Sequence, residues 1–251
     1  TLDFAQESVR RLMLDSLLHF VAHAGVDGFR FDLATALFKD ESARHSSLFA
    51  AITAEPVLRD RKMIAEPWDV TRYGLGDFSY PWREWNDFFR DSVRQFWLGD
   101  LARGYGEGVS DIASAISGSS GIFYHRGPTA SINFITAHDG FTLSDLVSYN
   151  EKHNEINREE NRDGHSSNKS WNVGVEGETE DLGIKHIRQS LKKSMAATLL
   201  LSAGVPMINM GDEVNRTQNG CNNGYSISSG NNPWAQPWQI DDAAQDMQDA
   251  F

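Results

Sequence analysis

Three carboxylates stand at the ends of short apolar runs: Asp32 closes G-F-R-F-D, Glu66 closes K-M-I-A-E, and Asp139 follows S-I-N-F-I-T-A-H. In the first run Val26, Phe29, Phe31 and Leu33 read as a buried strand into which Arg30 and Asp32 set two charges. An unpaired charge in such a place costs several kcal/mol or is neutralised, so both must meet partners. Two residues apart on a strand, Arg30 and Asp32 share one side, and a guanidinium beside a carboxylate favours its ionised form. An ionised carboxylate in a dry site is a candidate nucleophile; read structurally, the same pair is a buried ion pair at a strand end. Glu66 lies between Ala65 and Pro67-Trp68. Apolar neighbours keep a proton on a carboxyl, which makes Glu66 the candidate acid. One carboxylate to attack a sugar carbon and one carboxylic acid to protonate the leaving oxygen, about 5 to 5.5 Å apart, are the apparatus of a retaining glycosidase. Trp68, Trp82, Trp85 and Tyr149 are then expected around the site as platforms for sugar faces, the alternative for each being ordinary packing.

The elements that must position these groups alternate. Val9, Leu12, Met13, Leu17, Phe20, Val21 and Ala24 follow a helical period behind an expected N-cap at Asp3, and Gly25 ends that helix. A strand over 26–31 follows, then a helix over 47–58 broken by Pro56, then a strand over 62–66. An aromatic, charged stretch over 78–96 reads as a strand near Trp85 running into a helix; a short helix over 111–117 and a Gly/Ser loop over 118–121 precede the strand over 131–137. Residues 150–181 are polar and aperiodic, and a loop of that length in a compact domain is usually functional. A long helix marked by Ile184, Ile187, Leu191, Met195 and Leu199 leads to a strand over 205–210, and the end of the chain, 236–251, is weakly amphipathic. Glu66 follows Asp32 by about one βα unit of chain and Asp139 follows Glu66 by about two. Ionisable residues at the carboxyl ends of successive strands are how a (β/α)8 barrel builds a site. The expected fold class is therefore α/β, a (β/α)8 barrel of which the chain supplies at most five of the eight strands.

The 251 residues are 40% hydrophobic, enough for a real core, and carry a net charge of −12. That charge argues against nucleic acid or an anionic membrane as partner and suits a neutral substrate. No run of 18 apolar residues suggests a membrane span, and the single Cys221 excludes an internal disulfide, compatible with a cytoplasmic setting. The chain starts at Thr1 without a Met or signal-like segment and reads as a fragment.

The motifs G-F-R-F-D at 28–32, I-A-E-P-W at 64–68 and T-A-H-D-G at 136–140 resemble, in order, three signature regions of the α-amylase family of glycoside hydrolases. Longer stretches, E-W-N-D-F-F-R-D-S-V-R at 84–94, H-N-E-I-N-R-E-E-N-R-D-G at 153–164, S-W-N-V-G-V-E-G-E-T at 170–179 and G-V-P-M-I-N-M-G-D-E at 204–213, resemble its isoamylase and glycogen debranching branch. The resemblance implies hydrolysis of α-1,6 branch linkages in glycogen-like glucans. Asp32 would be the nucleophile, Glu66 the general acid/base, and Asp139 the carboxylate that binds sugar hydroxyls. Arg30 would orient Asp32 and His138 would hold the same sugar, with Trp68, Asn154 and Glu155 as further substrate contacts. It implies the carboxyl-terminal part of a (β/α)8 TIM barrel, incomplete in this chain and spanning 1–251, from the helix before strand four through strand eight, and requires no cofactor. Asp87, Asp91, Asp212 and Glu213 could ligate Ca²⁺, yet such residues more often cap helices or pair with arginines such as Arg90 and Arg94. Two departures stand out: the family's first signature region is absent, and Tyr225 is followed by S-I-S-S-G-N-N-P-W where the family continues differently. A glucan-binding chain without turnover, and an α-1,4-acting or trehalose-forming relative, remain open beside the debranching hydrolase.

Overall fold

The computed structural model describes residues 2–38, 46–100, 109–226 and 240–251. The chain divides into two compact units, residues 1–86 with 118–132 and residues 87–117 with 133–251.

In the first unit, helix α1 (Glu7–Ala24) ends at Gly25, whose left-handed backbone (φ 65°) lets its N–H reach the Val21 carbonyl at 3.2 Å. The helix begins later than its expected cap. Asp3 accepts from the Ala5 N–H two residues on, so it closes a turn ahead of the helix, and Gln6 takes the cap position without a side-chain bond. Leu17 is buried and Met13, Leu14, Leu18 and Val21 pack partly against the same core. Leu12 and Phe20 are exposed, because a step of about 100° per residue carries Leu12 to the opposite face and Phe20 to the margin.

Strand β1 (Gly28–Phe31) lies parallel to β2 (Lys62–Ala65), with Gly28 opposite Lys62 and Phe31 opposite Ala65. A Cβ at Gly28 would stand 2.3 Å from the Lys62 carbonyl oxygen, so only glycine permits this approach. Helix α2 (Ser47–Ala54) connects them, capped by the Ser46 hydroxyl and stopping ahead of Pro56. Strand β3 (Arg83–Asn86) pairs parallel with β2. Phe31, Phe38, Phe49, Phe78 and Trp82 form the aromatic centre of this core, with Phe49 and Trp82 ring centroids 4.3 Å apart. Under β3 the buried Glu84 accepts from Arg126 and from the Gly76 N–H at 2.6 Å. Burial raises the Glu84 carboxyl to about 7 against the lowering effect of Arg126.

In the second unit, α3 (Asp87–Arg94) runs on into a π-helical turn over Gln95–Asp100, and α4 (Val109–Ile116) packs against α3. The expected Gly/Ser loop at 118–121, in the first unit, is in part a helical turn at Ser120–Phe123. Strand β4 (Ser131–Phe134), buried at every position, belongs by its first half to one unit and by its second to the other. Sheet neighbours follow chain order, β1-β2-β3-β4 and then β4-β5, with β5 at Val205–Met207. Helix α5 (Leu182–Leu201), capped by Asp181, precedes β5 and buries Met195, Ala196 and Leu199. Buried Arg94 spans from α3 to the end of β4, donating twice to the Ile135 carbonyl (2.9 and 2.6 Å) and once to that of Asn168 (3.1 Å). Desolvation lowers the Arg94 guanidinium to about 9. Helix α6 (Asp242–Gln248) falls within the expected amphipathic end; residues 236–239 and most of the divergent stretch after Tyr225 lie outside the described residues.

Candidate active site

Sequence places Arg30, Asp32 and Glu66 at the carboxyl ends of two neighbouring strands, and parallel register brings them together. The ladder continues past the strands, with the Glu66 N–H donating to Phe31 O (3.0 Å) and the Ala34 N–H to Glu66 O (2.9 Å). Between those bonds the chain turns through Leu33 at φ 43°, a left-handed conformation uncommon outside glycine. That turn points the Leu33 N–H at Glu66 Oε2, 2.8 Å away. Arg30 bridges the two acids: Nη1 is 3.0 Å from Asp32 Oδ1 and Nη2 is 3.1 Å from Glu66 Oε2. Its guanidinium lies over the Trp85 ring, 4.1 Å from the centroid, which fixes its plane.

The two carboxyls differ in setting. The Glu66 side chain is 10% exposed and that of Asp32 71%. Burial raises the Glu66 carboxyl above its ordinary range, ahead of the lowering by the Leu33 N–H and Arg30; the Asp32 charge and a hydrogen bond with Asp32 raise it further. Asp32 therefore departs from the dry environment expected for it. Its strand ends at Phe31, and the side chain emerges beyond the packed layer.

Of the four expected aromatics, three pack instead. Trp82 is core, Trp85 carries Arg30, and Tyr149 is buried in the second unit against Phe141. Trp68, two residues after Glu66, is half-buried and bridges antiparallel to Tyr73. The turn beyond it is tied by Asp69, which accepts from Thr35, Thr71 and the Arg72 N–H, bonds that hold its carboxyl well below the usual range.

The second unit carries the other candidates. His138 Nε2 and Asp139 Oδ2 are 3.2 Å apart, both side chains more than half exposed. The strand end that bears them is held by buried Asp212, which accepts from the Thr136 hydroxyl and the Leu143 N–H (3.0 Å). Burial raises the Asp212 carboxyl to about 6. Asp212 was legible in G-D-E only as a candidate ligand; no group of three metal-binding side chains occurs among the described residues. Asp91 pairs with Arg90 at 2.6 Å, and Glu213 accepts from the Gly211 N–H at 2.7 Å.

Residues 150–181 have one 3-10 turn at Glu155–Asn157 and are otherwise irregular but tied by side chains. Asn154 is fully buried, contrary to a sugar-facing position. Its Nδ2 donates to Asp163 O and Asn222 Oδ1, both at 2.9 Å, and its Oδ1 accepts from the Asn222 N–H at 2.9 Å. Asn222 in turn donates to His165 O and Asn168 Oδ1. Glu155 is exposed. Asn222 had no signal in the sequence beyond an Asn-rich stretch.

No family model matches the chain. The glycogen operon protein GlgX homolog of Mycobacterium tuberculosis (strain ATCC 25618 / H37Rv) is 49% identical over 225 residues, covering 87% of this chain and 30% of that protein. The glycogen debranching enzyme of Yersinia enterocolitica is 47% identical over 231 residues, 90% of this chain and 34% of that enzyme. The crystal structure of a pullulanase complexed with maltotetraose, from Anoxybacillus sp. LM18-11, superposes with a TM-score of 0.65 at 25% identity, covering 99% of this chain and 32% of its own. The chain thus spans about a third of the length of the curated relatives it matches. Its parallel α/β alternation is that of part of the (β/α)8 barrel in the pullulanase catalytic domain. Nearly half of the aligned residues are identical to those of each relative, so the chain is similar to about a third of a glycogen debranching enzyme.

Proposed function

We propose that the protein carrying this chain hydrolyses α-1,6-glucosidic branch linkages in glycogen or limit-dextrin-type glucans with retention of configuration. The observation that carries the reading is the unequal pair of carboxyls on one guanidinium: Glu66 buried and raised, Asp32 exposed and paired. Asp32 attacks the anomeric carbon of the branch glucosyl while Glu66 gives its proton to the departing O6, which leaves a glycosyl ester on Asp32. Glu66, now a carboxylate, takes a proton from water as that water attacks the same carbon and releases Asp32. Two inversions restore the α configuration. Asp139 and His138 are assigned to sugar hydroxyls on the resemblance of T-A-H-D-G, Trp68 to a sugar contact on that of I-A-E-P-W, and Glu155 to a contact from the loop. Asn154 is assigned to holding that loop.

The strands β1 to β5 are read as strands four to eight of the barrel, and loop 150–181 as the element that admits a branch point. A buried, unpaired Cys221 fits a reducing, cytoplasmic compartment, and no described helix is long and apolar enough to cross a membrane. Reducing-end release from glycogen compared with linear maltodextrin, by the full-length protein, tests the reading. Release from glycogen well above that from maltodextrin is expected; equal or reversed rates point to the α-1,4-acting alternative, and none to a glucan-binding chain.

A further inference from the structure

At the opposite end of β2 from Glu66 the first unit contains a cavity of about 260 Å³. Arg59, Arg61, Lys62, Arg83 and Arg126 line it, against one acid, Asp60. In a chain of net charge −12, such a concentration of cations is not a sample of the average surface. Three of the five have acid partners. Arg126 is held by Glu84, Arg61 meets Asp27 at 3.6 Å, and Arg59 meets Asp60 at 3.8 Å. Lys62 and Arg83 face the cavity with no carboxylate within 4.0 Å among the described residues.

Two further donors belong to residues that line the cavity. The Trp82 Nε1–H and the Arg126 Nε–H are buried and have no hydrogen-bond partner, although both residues line the cavity. Leaving a buried N–H unpaired costs about 1 to 3 kcal/mol, and an acceptor admitted among these residues would relieve that cost beside two cations without an acid partner. The acceptor must be anionic and small, and several oxygens on one centre would serve guanidinium, ammonium and indole together. Tyr80, highly exposed at the rim, offers a ring face to anything attached to that anion.

We propose that this cavity binds a small phosphate-bearing anion, inorganic phosphate or the phosphate of a sugar ester, at a site separate from the glucan-cleaving end of the strands. In barrels of this class the amino-terminal ends of the strands ordinarily serve stability rather than chemistry, so a ligand there would act on the protein without competing for its site. The proposal stands on the cavity and its donors alone and does not need the hydrolytic assignment of Asp32 and Glu66.

Calorimetric titration of the full-length protein with inorganic phosphate and, separately, glucose 6-phosphate tests it. Saturable binding of at least one is expected at or below about millimolar Kd, with a rise in melting temperature, and the tighter of the two names the source. The Lys62→Gln variant, altered at an exposed side chain, and the Lys62→Gln/Arg83→Gln double variant should each weaken it, the double by about tenfold or more. Arg83→Lys, which keeps the charge, should retain binding. The single Lys62→Gln keeps the test decisive if the double variant fails to fold. Absence of saturable binding of both anions up to about 10 mM, or undiminished binding by Lys62→Gln, would overturn the proposal.

Discussion

Arg30 holds Glu66 from one side, with Nη2 3.1 Å from Oε2, and this contact opposes the burial that raises the Glu66 carboxyl. The pair is therefore a tuning element: the arginine limits how far the acid's pKa climbs, and its other arm keeps Asp32 in place.

Removing that limit should show in pH dependence. Glu66 must carry a proton to act as acid, so its pKa sets the alkaline limb of kcat/KM. Arg30 lowers that pKa; Arg30→Met is therefore expected to shift the alkaline limb upward while kcat falls, because Asp32 loses its positioning partner. A pH-rate profile with an unmoved or downshifted limb would show that Arg30 does not act through Glu66.

Glu66→Gln keeps the shape and the Leu33 contact but has no proton to give. Turnover should fall by about 10² to 10⁴ while glucan affinity stays near that of the parent. Steady-state rates and a binding isotherm on the same preparation check it, and a loss under about tenfold would remove Glu66 from the acid role.

Proton NMR of the first product formed should show the α-anomer before mutarotation. Initial β-anomer would mean single inversion, which a nucleophilic Asp32 does not allow.

Glu84 makes stability depend on pH. Its folded pKa of about 7 lies above the ordinary 4.5, so between those values the folded state holds a proton the unfolded chain has lost. Its contribution is fully present below about pH 4.5 and fades as pH rises through about 7, by about 3 kcal/mol at most. Glu84→Gln, which has no proton to lose, should flatten the fall of melting temperature between pH 5 and 7. Calorimetric scans across that range give the slope, and a variant slope equal to the parent's would contradict the assignment.

Shortening the loop over 156–171 should reduce activity on branched glucan far more than on linear chains, if the loop selects the branch. Assaying both substrates beside the melting temperature separates selection from scaffolding, since equal losses with a lowered melting point would mean that the loop only braces its unit.

Much of this arrangement could be read from residue order. Gly25 after an apolar helical period, and carboxylates closing apolar runs, located α1, β1, β2 and the Glu66 and Asp139 strand ends. Strands were overextended, as in 205–210 for Val205–Met207, because apolar residues continue past the end of the ladder. Aromatic roles stayed open between packing and sugar contact for a different reason. Trp82, Trp85 and Tyr149 are large enough to fill core volume, and nothing in a sequence separates a ring that packs from one that waits for a sugar. Asn154 shows the same limit for polar groups, since its partners Asp163 and Asn222 are brought to it by the loop's path.

The acid's closest neutral partner is the Leu33 amide, and that choice sets which mutations the site can register. Every residue type but proline supplies the same N–H, so a substitution scan across position 33 should read as nearly silent for acidity however strongly it alters local packing. Proline alone erases the donor, and it cannot adopt φ 43° in any case. Variation at this position in related proteins would then record backbone geometry, with glycine and asparagine as its natural substitutes, and would carry almost no trace of the chemistry that the position supports.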